Sequence, residues 1–433
     1  MAGQAGRPKP SRILRIQAVT ICCLWLAGMV NFLDRSSLAI ANTTIRAELG
    51  LSGTQIGALL SVFSLVYAFS QLPAGILLDR FGTRVVLTAA MFVWSLAQTV
   101  TGLASSFSEF VATRVVLAGG EAPFIPSSVK AIQDWFHARD RGAPMGILVS
   151  SNNLGPALAP PLLTAIMLRF GWRHMLMGIG ALGFLLAFAW YPLYRDRNRV
   201  AMTPADLAYL GSPPPGAKFA LREWVALFRL RTMWGMMLGF GGVNYTTWLY
   251  ISWLPGYLQA ARHLTLSATG WVAMIPFLGG AAGGLTSGAL ADWMVRWGLE
   301  PMRSRKMLIV GGLICSGLST IGVPYATGIR SAVVAMSAAV YFIYFAGTSA
   351  WGLVEAAAPP RYVASVGSIQ NFGSFVCASF GPVLTGWLLD HTHSFQIALI
   401  ICGCVAFLGA LSYLFVVKDP IPASVAAGQE LGV

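Results

Sequence analysis

The chain has 433 residues, of which 56% are hydrophobic and 10% charged, with a mean hydropathy of +0.67. A typical globular chain carries about 25% charged residues, so this composition excludes a soluble globular protein and indicates a polytopic membrane protein. The net charge of +13 raises nucleic acid as a partner, but the placement of the basic residues along the chain excludes it.

Arg7, Lys9, Arg12 and Arg15 precede the first apolar run in the manner of a secretory signal. The run is too long for one and no small-residue cleavage site follows, so an uncleaved first span is expected. A helix that crosses a bilayer needs about 20 mostly apolar residues. Twelve such runs occur. The first six lie at 17–41, 54–78, 83–104, 108–131, 142–169 and 173–194. The second six lie at 232–260, 267–295, 307–326, 331–357, 362–389 and 395–417. Between the sixes, 195–230 is the longest polar stretch; it holds Arg195, Arg197, Arg199, Pro213-Pro214-Pro215, Lys218, Arg222 and Arg229 and reads as a linker. The six cysteines (Cys22, Cys23, Cys315, Cys377, Cys402, Cys404) all fall in apolar runs with no metal-ligand spacing.

The turn between the second and third runs is Gly75-Ile-Leu-Leu-Asp79-Arg80-Phe-Gly82-Thr-Arg84, and it has an echo half a chain later in Gly288-Ala-Leu-Ala-Asp292-Trp-Met-Val-Arg296. A recurrence at that distance indicates a duplicated unit. The expected fold class is therefore an all-α polytopic membrane protein with twelve transmembrane helices in two six-helix, pseudo-symmetric bundles. Its divisions are an N-terminal bundle at 1–194, a cytoplasmic linker at 195–230, and a C-terminal bundle with a cytoplasmic tail at 231–433. Assigning the loops alternately to the two sides places 22 Lys and Arg on the side of the N-terminus and 5 on the other. Basic residues collect on the cytoplasmic side, so both termini and the linker are expected there, in a cell (inner) membrane. This distribution accounts for the net charge without nucleic acid.

Ionisable groups inside spans are costly and commonly functional. Away from span ends the chain holds four: Asp34 and Arg35 in span one, Arg114 and Glu121 in span four. Span one runs outward and span four inward, which sets the two arginines at similar depth. Glu121 lies seven residues deeper than Arg114, about 10 Å on the same helix face. Buried guanidinium groups attract an anion and can grip a carboxylate in a bidentate way. Asp34 and Glu121 are pulled in opposite directions by desolvation and by the arginines, which suits a group that takes and releases a proton. The bland alternative is that the four only pair with one another to hold helices together. Neutral polar residues complete a candidate cavity: Tyr67 in span two, Asn152 and Asn153 in span five, Asn244 and Tyr245 in span seven, and Gln370 and Asn371 in span eleven. Each of these can equally serve as a helix-to-helix hydrogen bond.

Twelve spans, a basic linker and the duplicated loop resemble the major facilitator superfamily. Within it the chain resembles the anion:cation symporter family of sugar-acid, hexuronate and vesicular glutamate carriers. The residues that carry this are Asn31-Phe32-Leu33-Asp34-Arg35, Tyr67, Arg114-x6-Glu121-x-Pro123, Asn244-Tyr245 ahead of Trp253-Leu-Pro255-x-Tyr257, and Asp292-x3-Arg296 with Arg305-Lys306. The resemblance implies a secondary transporter, not an enzyme, that imports an organic anion such as an aldonate, aldarate or uronate by proton symport. It implies no cofactor or metal, with the proton as coupling ion, and a monomer in the bilayer. The family's coupling acids carry over to Asp34 and Glu121, and its anion-binding arginine to Arg114 or Arg35. Gly75, Asp79, Arg80, Gly82, Arg84, Asp292 and Arg296 are expected to act in conformational gating. Two other transport classes compete. A proton-driven drug or cation exporter would carry Gly-Pro-x-x-Gly-Gly in span five, where this chain has Gly155-Pro156-Ala-Leu-Ala-Pro160. An anion exchanger would favour a basic residue in each half, and the second half has none at mid-depth.

Overall fold

The computed structural model describes residues 10–137, 140–210, 225–359 and 362–422, and omits the Leu72 side chain. Arg7, Lys9, Pro213-Pro214-Pro215, Lys218 and Arg222 of the basic N-terminus and linker lie outside the described residues, as does the chain beyond 422. Among the described residues all regular structure is helical: α1 Ser11–Leu49, α2 Gly53–Thr101, α3 Phe107–Glu121, α4 Phe124–Trp135, α5 Gly142–Leu193, α6 Pro204–Leu210, α7 Arg231–Ala260, α8 Leu266–Arg296, α9 Pro301–Gly322, α10 Ile329–Ala357, α11 Val363–Thr392 and α12 Gln396–Phe415. A helix satisfies its own backbone, which a lipid interior demands.

Two of these helices are too long for one crossing. α2 has 49 residues and α5 has 52, each more than 70 Å at about 1.5 Å per residue, against a hydrocarbon core of about 30 Å. Each turns back at a glycine: Gly82 has φ +81° and Gly171 has φ +79°, a region that side chains other than glycine's rarely occupy. α3 and α4 form one crossing, interrupted at Ala122-Pro123. The chain thus crosses six times before α6 and six times in α7–α12, the twelve spans expected. The faces turned outward carry residues such as Leu285, Ile76 and Phe188, 75%, 72% and 66% exposed, an apolar surface that suits lipid.

By Cα proximity the chain forms two compact units. One draws on Met1–Arg35, Phe69–Gly155 and Arg173–Gly216, the other on Ser36–Ala68, Pro156–Trp172 and Ala217–Val433. In the first unit small residues bring helices into close contact. A Cβ at Gly120 would stand 2.8 Å from the Trp94 amide nitrogen, and one at Gly180 would stand 2.7 Å from the Ser95 carbonyl. The turn at Gly82–Arg84 is tied to the end of α5: the Arg84 amide donates to Asp196 Oδ1 (3.1 Å), and its Nε donates to the Tyr191 carbonyl (2.7 Å). The Arg84 guanidinium lies 4.0 Å over the Tyr191 ring.

In the second unit the core gathers Met233, Phe240, Ile309, Ile343 and Tyr413. The last part of α1, the first part of α2 and the middle of α5 belong to this unit. α1 runs eight residues past the apolar run expected to end at 41, because its polar extension finds partners. Thr43 Oγ1 donates to Gln259 Oε1 (2.7 Å), and Glu48 Oε2 accepts from Trp172 Nε1 (2.6 Å). Asp34 and Arg35 therefore lie near the middle of a 39-residue helix.

Candidate functional site

The first unit brings together the four charges found inside spans. Asp34 and Glu121 are fully buried, Arg114 is 1% exposed and Arg35 is 8% exposed. α1 contributes Asp34 and Arg35, and α3 contributes Arg114 and Glu121. Seven residues on a 3.6-residue period set Arg114 and Glu121 on one face of α3, and both are buried there. Arg35 Nε donates to Glu121 Oε2 at 2.7 Å, and its guanidinium lies 5.4 Å from the Phe32 ring centroid. Asp34 interacts electrostatically with Glu121, Arg114 and Arg35.

Arg114 differs from Arg35. Its Nε and Nη2 are buried and have no hydrogen-bond partner among the described residues, and neither does Glu121 Oε1. Buried polar atoms are ordinarily satisfied, so an orphaned pair of guanidinium donors needs an explanation. The tetrad of two carboxylates and two guanidinium groups is formally neutral. In a dry setting an added anion leaves it one charge short of balance. Asn152 and Asn153 are half-buried on α5.

The second unit holds the other neutral candidates. Tyr67 is packed in an aromatic cluster: its ring centroid lies 6.0 Å from Phe63 and 5.0 Å from Phe375, and Trp248 stands 5.9 Å from Phe63 and 5.8 Å from Phe375. Asn244 Nδ2 donates to Ser374 Oγ (2.6 Å), whose hydroxyl donates to the Asn371 carbonyl (2.7 Å). This is a helix-to-helix bond that also presents a half-buried amide. Tyr245 is buried against Gly381. Gln370 is fully buried, and both of its amide atoms lack a hydrogen bond among the described residues.

The loop residues lie apart from these sets. Asp79 Oδ1 pairs with Lys130 Nζ of α4 at 3.0 Å, and Asp292 Oδ1 pairs with Arg305 Nη2 of α9 at 3.6 Å. Arg296 Nε donates to the Asp292 carbonyl (3.3 Å), and Arg80 lies 5.2 Å from the Phe81 ring centroid. Among the described residues nothing stands within 4 Å of a Cβ built on Gly75, so no packing there requires glycine. Sequence reasoning did not single out Lys130, Asp196 or Asp390 as partners. Lys130 and Asp196 have no spacing that would reveal them. Asp390 closes the series Pro382-x3-Gly386-x3-Asp390, and Gly53-x3-Gly57-x3-Ser61 is a small-residue series of the same period, which is a readable sign of helix contact.

Comparison with known proteins bears on the family and the fold. Residues 24–381 match the family described as Major Facilitator Superfamily. The chain is 53% identical over 416 residues, 95% of its length and 92% of the relative's, to the protein named "Probable L-galactonate transporter" of Escherichia coli (strain K12). It is 31% identical, over 92% of its length and 93% of the relative's, to that organism's "Probable galactarate/D-glucarate transporter GarP". Its fold is similar to the crystal structure of a bacterial homolog of the human lysosomal transporter Spinster, with a TM-score of 0.75 at 19% identity over 96% of this chain and 100% of that one.

Proposed function

Because the chain belongs to the major facilitator superfamily, and is thus a multi-pass membrane transporter and not an enzyme, we propose that it carries a sugar acid together with a proton. The relatives named for L-galactonate and for galactarate and D-glucarate support the substrate class. The observation that carries the mechanism is the orphaned, buried pair of donors on Arg114. A substrate carboxylate would accept from both and convert two unsatisfied donors into charge-assisted hydrogen bonds. Arg35 is committed to Glu121, which leaves Arg114 as the anchor.

Charge balance supplies the coupling. A carboxylate arriving beside a neutral, buried tetrad would leave a net negative charge in a low-dielectric place, at a cost that grows steeply with burial. A proton on Asp34 or Glu121 cancels it. Anion and proton therefore favour each other's binding, which is the reciprocal linkage a symporter needs. Asn152, Asn244, Gln370 and Asn371, with Tyr67 and Tyr245, would read the hydroxyl groups of the substrate. Their neutral donors and acceptors suit a polyol chain.

In this reading 1–194 and 231–433 are the moving halves, 195–230 joins them on the cytoplasmic side of an inner membrane, and the site opens alternately to either side. Asp79, Arg80, Gly82, Arg84, Asp292 and Arg296 brace the cytoplasmic ends of helices through that change, whereas Gly75, expected in the same role, has no described neighbour to brace against. The protein acts as a monomer, with lipid, substrate and proton as its partners and no nucleic acid. The test is uptake of L-galactonate by proteoliposomes that hold the purified protein. Accumulation that requires an inwardly directed proton gradient supports the reading. Exchange of internal for external L-galactonate with no response to the gradient would instead make the protein an anion exchanger.

A further inference from the structure

Asp390 lies in the last turn of α11. Its Oδ1 accepts from the Gly53 amide (2.7 Å), and its Oδ2 accepts from the Thr54 amide (2.7 Å) and the Thr54 hydroxyl (2.6 Å). Arg46 Nη2 stands 3.7 Å from Oδ1. Gly53 and Thr54 begin α2. The first amides of a helix have no partner within it and carry the positive end of its dipole. A carboxylate from the second half of the chain thus occupies the N-terminus of a helix from the first half.

The contact continues along both helices. Gly53, Gly57 and Ser61 of α2 face Pro382, Gly386 and Asp390 of α11, each series at a period of four. A Cβ on Gly57 would overlap the Pro382 carbonyl, and one on Gly386 would overlap the Gly53 carbonyl. The Val383 amide donates to Ser61 Oγ at 3.0 Å. Small residues along such a seam allow backbone contact without interlocked side chains, so the helices can part without unthreading.

α2 also carries a cap of its own. The Gln55 amide donates to Ser52 Oγ (3.1 Å), and the Ser52 amide donates to Gln55 Oε1 (2.9 Å), a reciprocal box that satisfies donors at the helix start. Asp390 is therefore not needed to keep α2 helical. Its contacts join two helices and can be exchanged for water, since its side chain is 23% exposed. We propose that Asp390 is the latch of the outer gate: release of Gly53 and Thr54 from its carboxylate is the step that lets α2 and α11 separate. This rests on the transport reading, in which the outer end must open to admit substrate.

The test needs no substrate. In purified protein whose six native cysteines are replaced, Ser61→Cys places a thiol in the seam, where Ser61 is 9% exposed. A second cysteine variant at Ser128, which is fully buried in the first unit, serves as control. Asp390→Ala should raise the maleimide labelling rate of the seam thiol at least tenfold and leave the control thiol protected. Thr54→Val, which removes one of the three close donors, should give a smaller rise; if Asp390→Ala does not fold, this variant decides. An unchanged seam rate overturns the latch. Equal exposure of both thiols also overturns it, because that is unfolding and not gate opening. If labelling does not change while the wild type accumulates L-galactonate, the latch alone fails. If the wild type takes up no L-galactonate, the substrate reading fails whatever the labelling shows.

Discussion

Arg35 and Glu121 form a direct ion pair, Nε to Oε2 at 2.7 Å, between α1 and α3 with both side chains buried. Removing one member strands the other charge in a low-dielectric setting, at a cost of about 3–5 kcal/mol. Arg35→Ala should therefore lower the melting temperature of the purified protein sharply. Arg35→Ala combined with Glu121→Ala should be less destabilised than the sum of the single changes. A strictly additive cycle in thermal unfolding would show that the two groups do not interact.

Arg114 calls for the opposite pattern. Its Nε and Nη2 make no hydrogen bond among the described residues, so less folding energy is lost with it. Arg114→Ala should weaken L-galactonate binding about 10- to 150-fold, the equivalent of about 1.5–3 kcal/mol for a hydrogen bond to a charged group, with a smaller drop in melting temperature than Arg35→Ala. Arg114→Lys should not restore affinity, because an ammonium cannot offer the two-pronged grip. Titration calorimetry reads this directly, and wild-type affinity in Arg114→Ala would move the anchor to Arg35.

Asp79 pairs with Lys130, yet its side chain is 84% exposed. An exposed pair contributes about 1 kcal/mol or less, so Asp79→Asn should leave stability nearly unchanged. It should reduce the maximal transport rate more than it changes the half-saturating substrate concentration, because the residue acts on helix movement and not on the ligand. Initial rates over a range of L-galactonate concentrations check this; lost affinity with unchanged maximal rate would contradict it.

Gly82→Ala combines two costs. The residue has φ +81°, and a Cβ there would stand 2.7 Å from Asp196 Oδ2. The backbone strain alone is about 1–3 kcal/mol, and the displaced Asp196 also loses the Arg84 amide. The variant should melt earlier than the wild type, and earlier than Gly75→Ala, whose site is open. Equal melting temperatures for the two would remove the structural role given to the turn.

The twelve crossings were legible because bilayer thickness imposes a length on every apolar run. The four charges were legible for a related reason, since an ionisable residue in such a run is conspicuous. Their pairing was not: Arg35 and Glu121 are 86 positions apart, and only packing decides that Arg35, and not Arg114, takes the carboxylate. The extension of α1 beyond its apolar run is not legible, because Thr43 and Glu48 are polar and their partners Gln259 and Trp172 come from distant segments. The contact of Asp390 with Gly53 and Thr54 spans more than 330 positions; the small-residue series mark both helices as packing surfaces but do not pair that carboxylate with those amides.

The central claim is that anion and proton move together because the buried tetrad cannot hold an uncompensated negative charge. Glu121→Gln tests it, since glutamine mimics the protonated acid at nearly constant volume. Proteoliposomes with this variant should show counterflow of L-galactonate close to wild type, while accumulation driven by an imposed proton gradient is lost. Full gradient-driven accumulation in Glu121→Gln, and likewise in Asp34→Asn, would contradict the account and separate anion transport from proton movement.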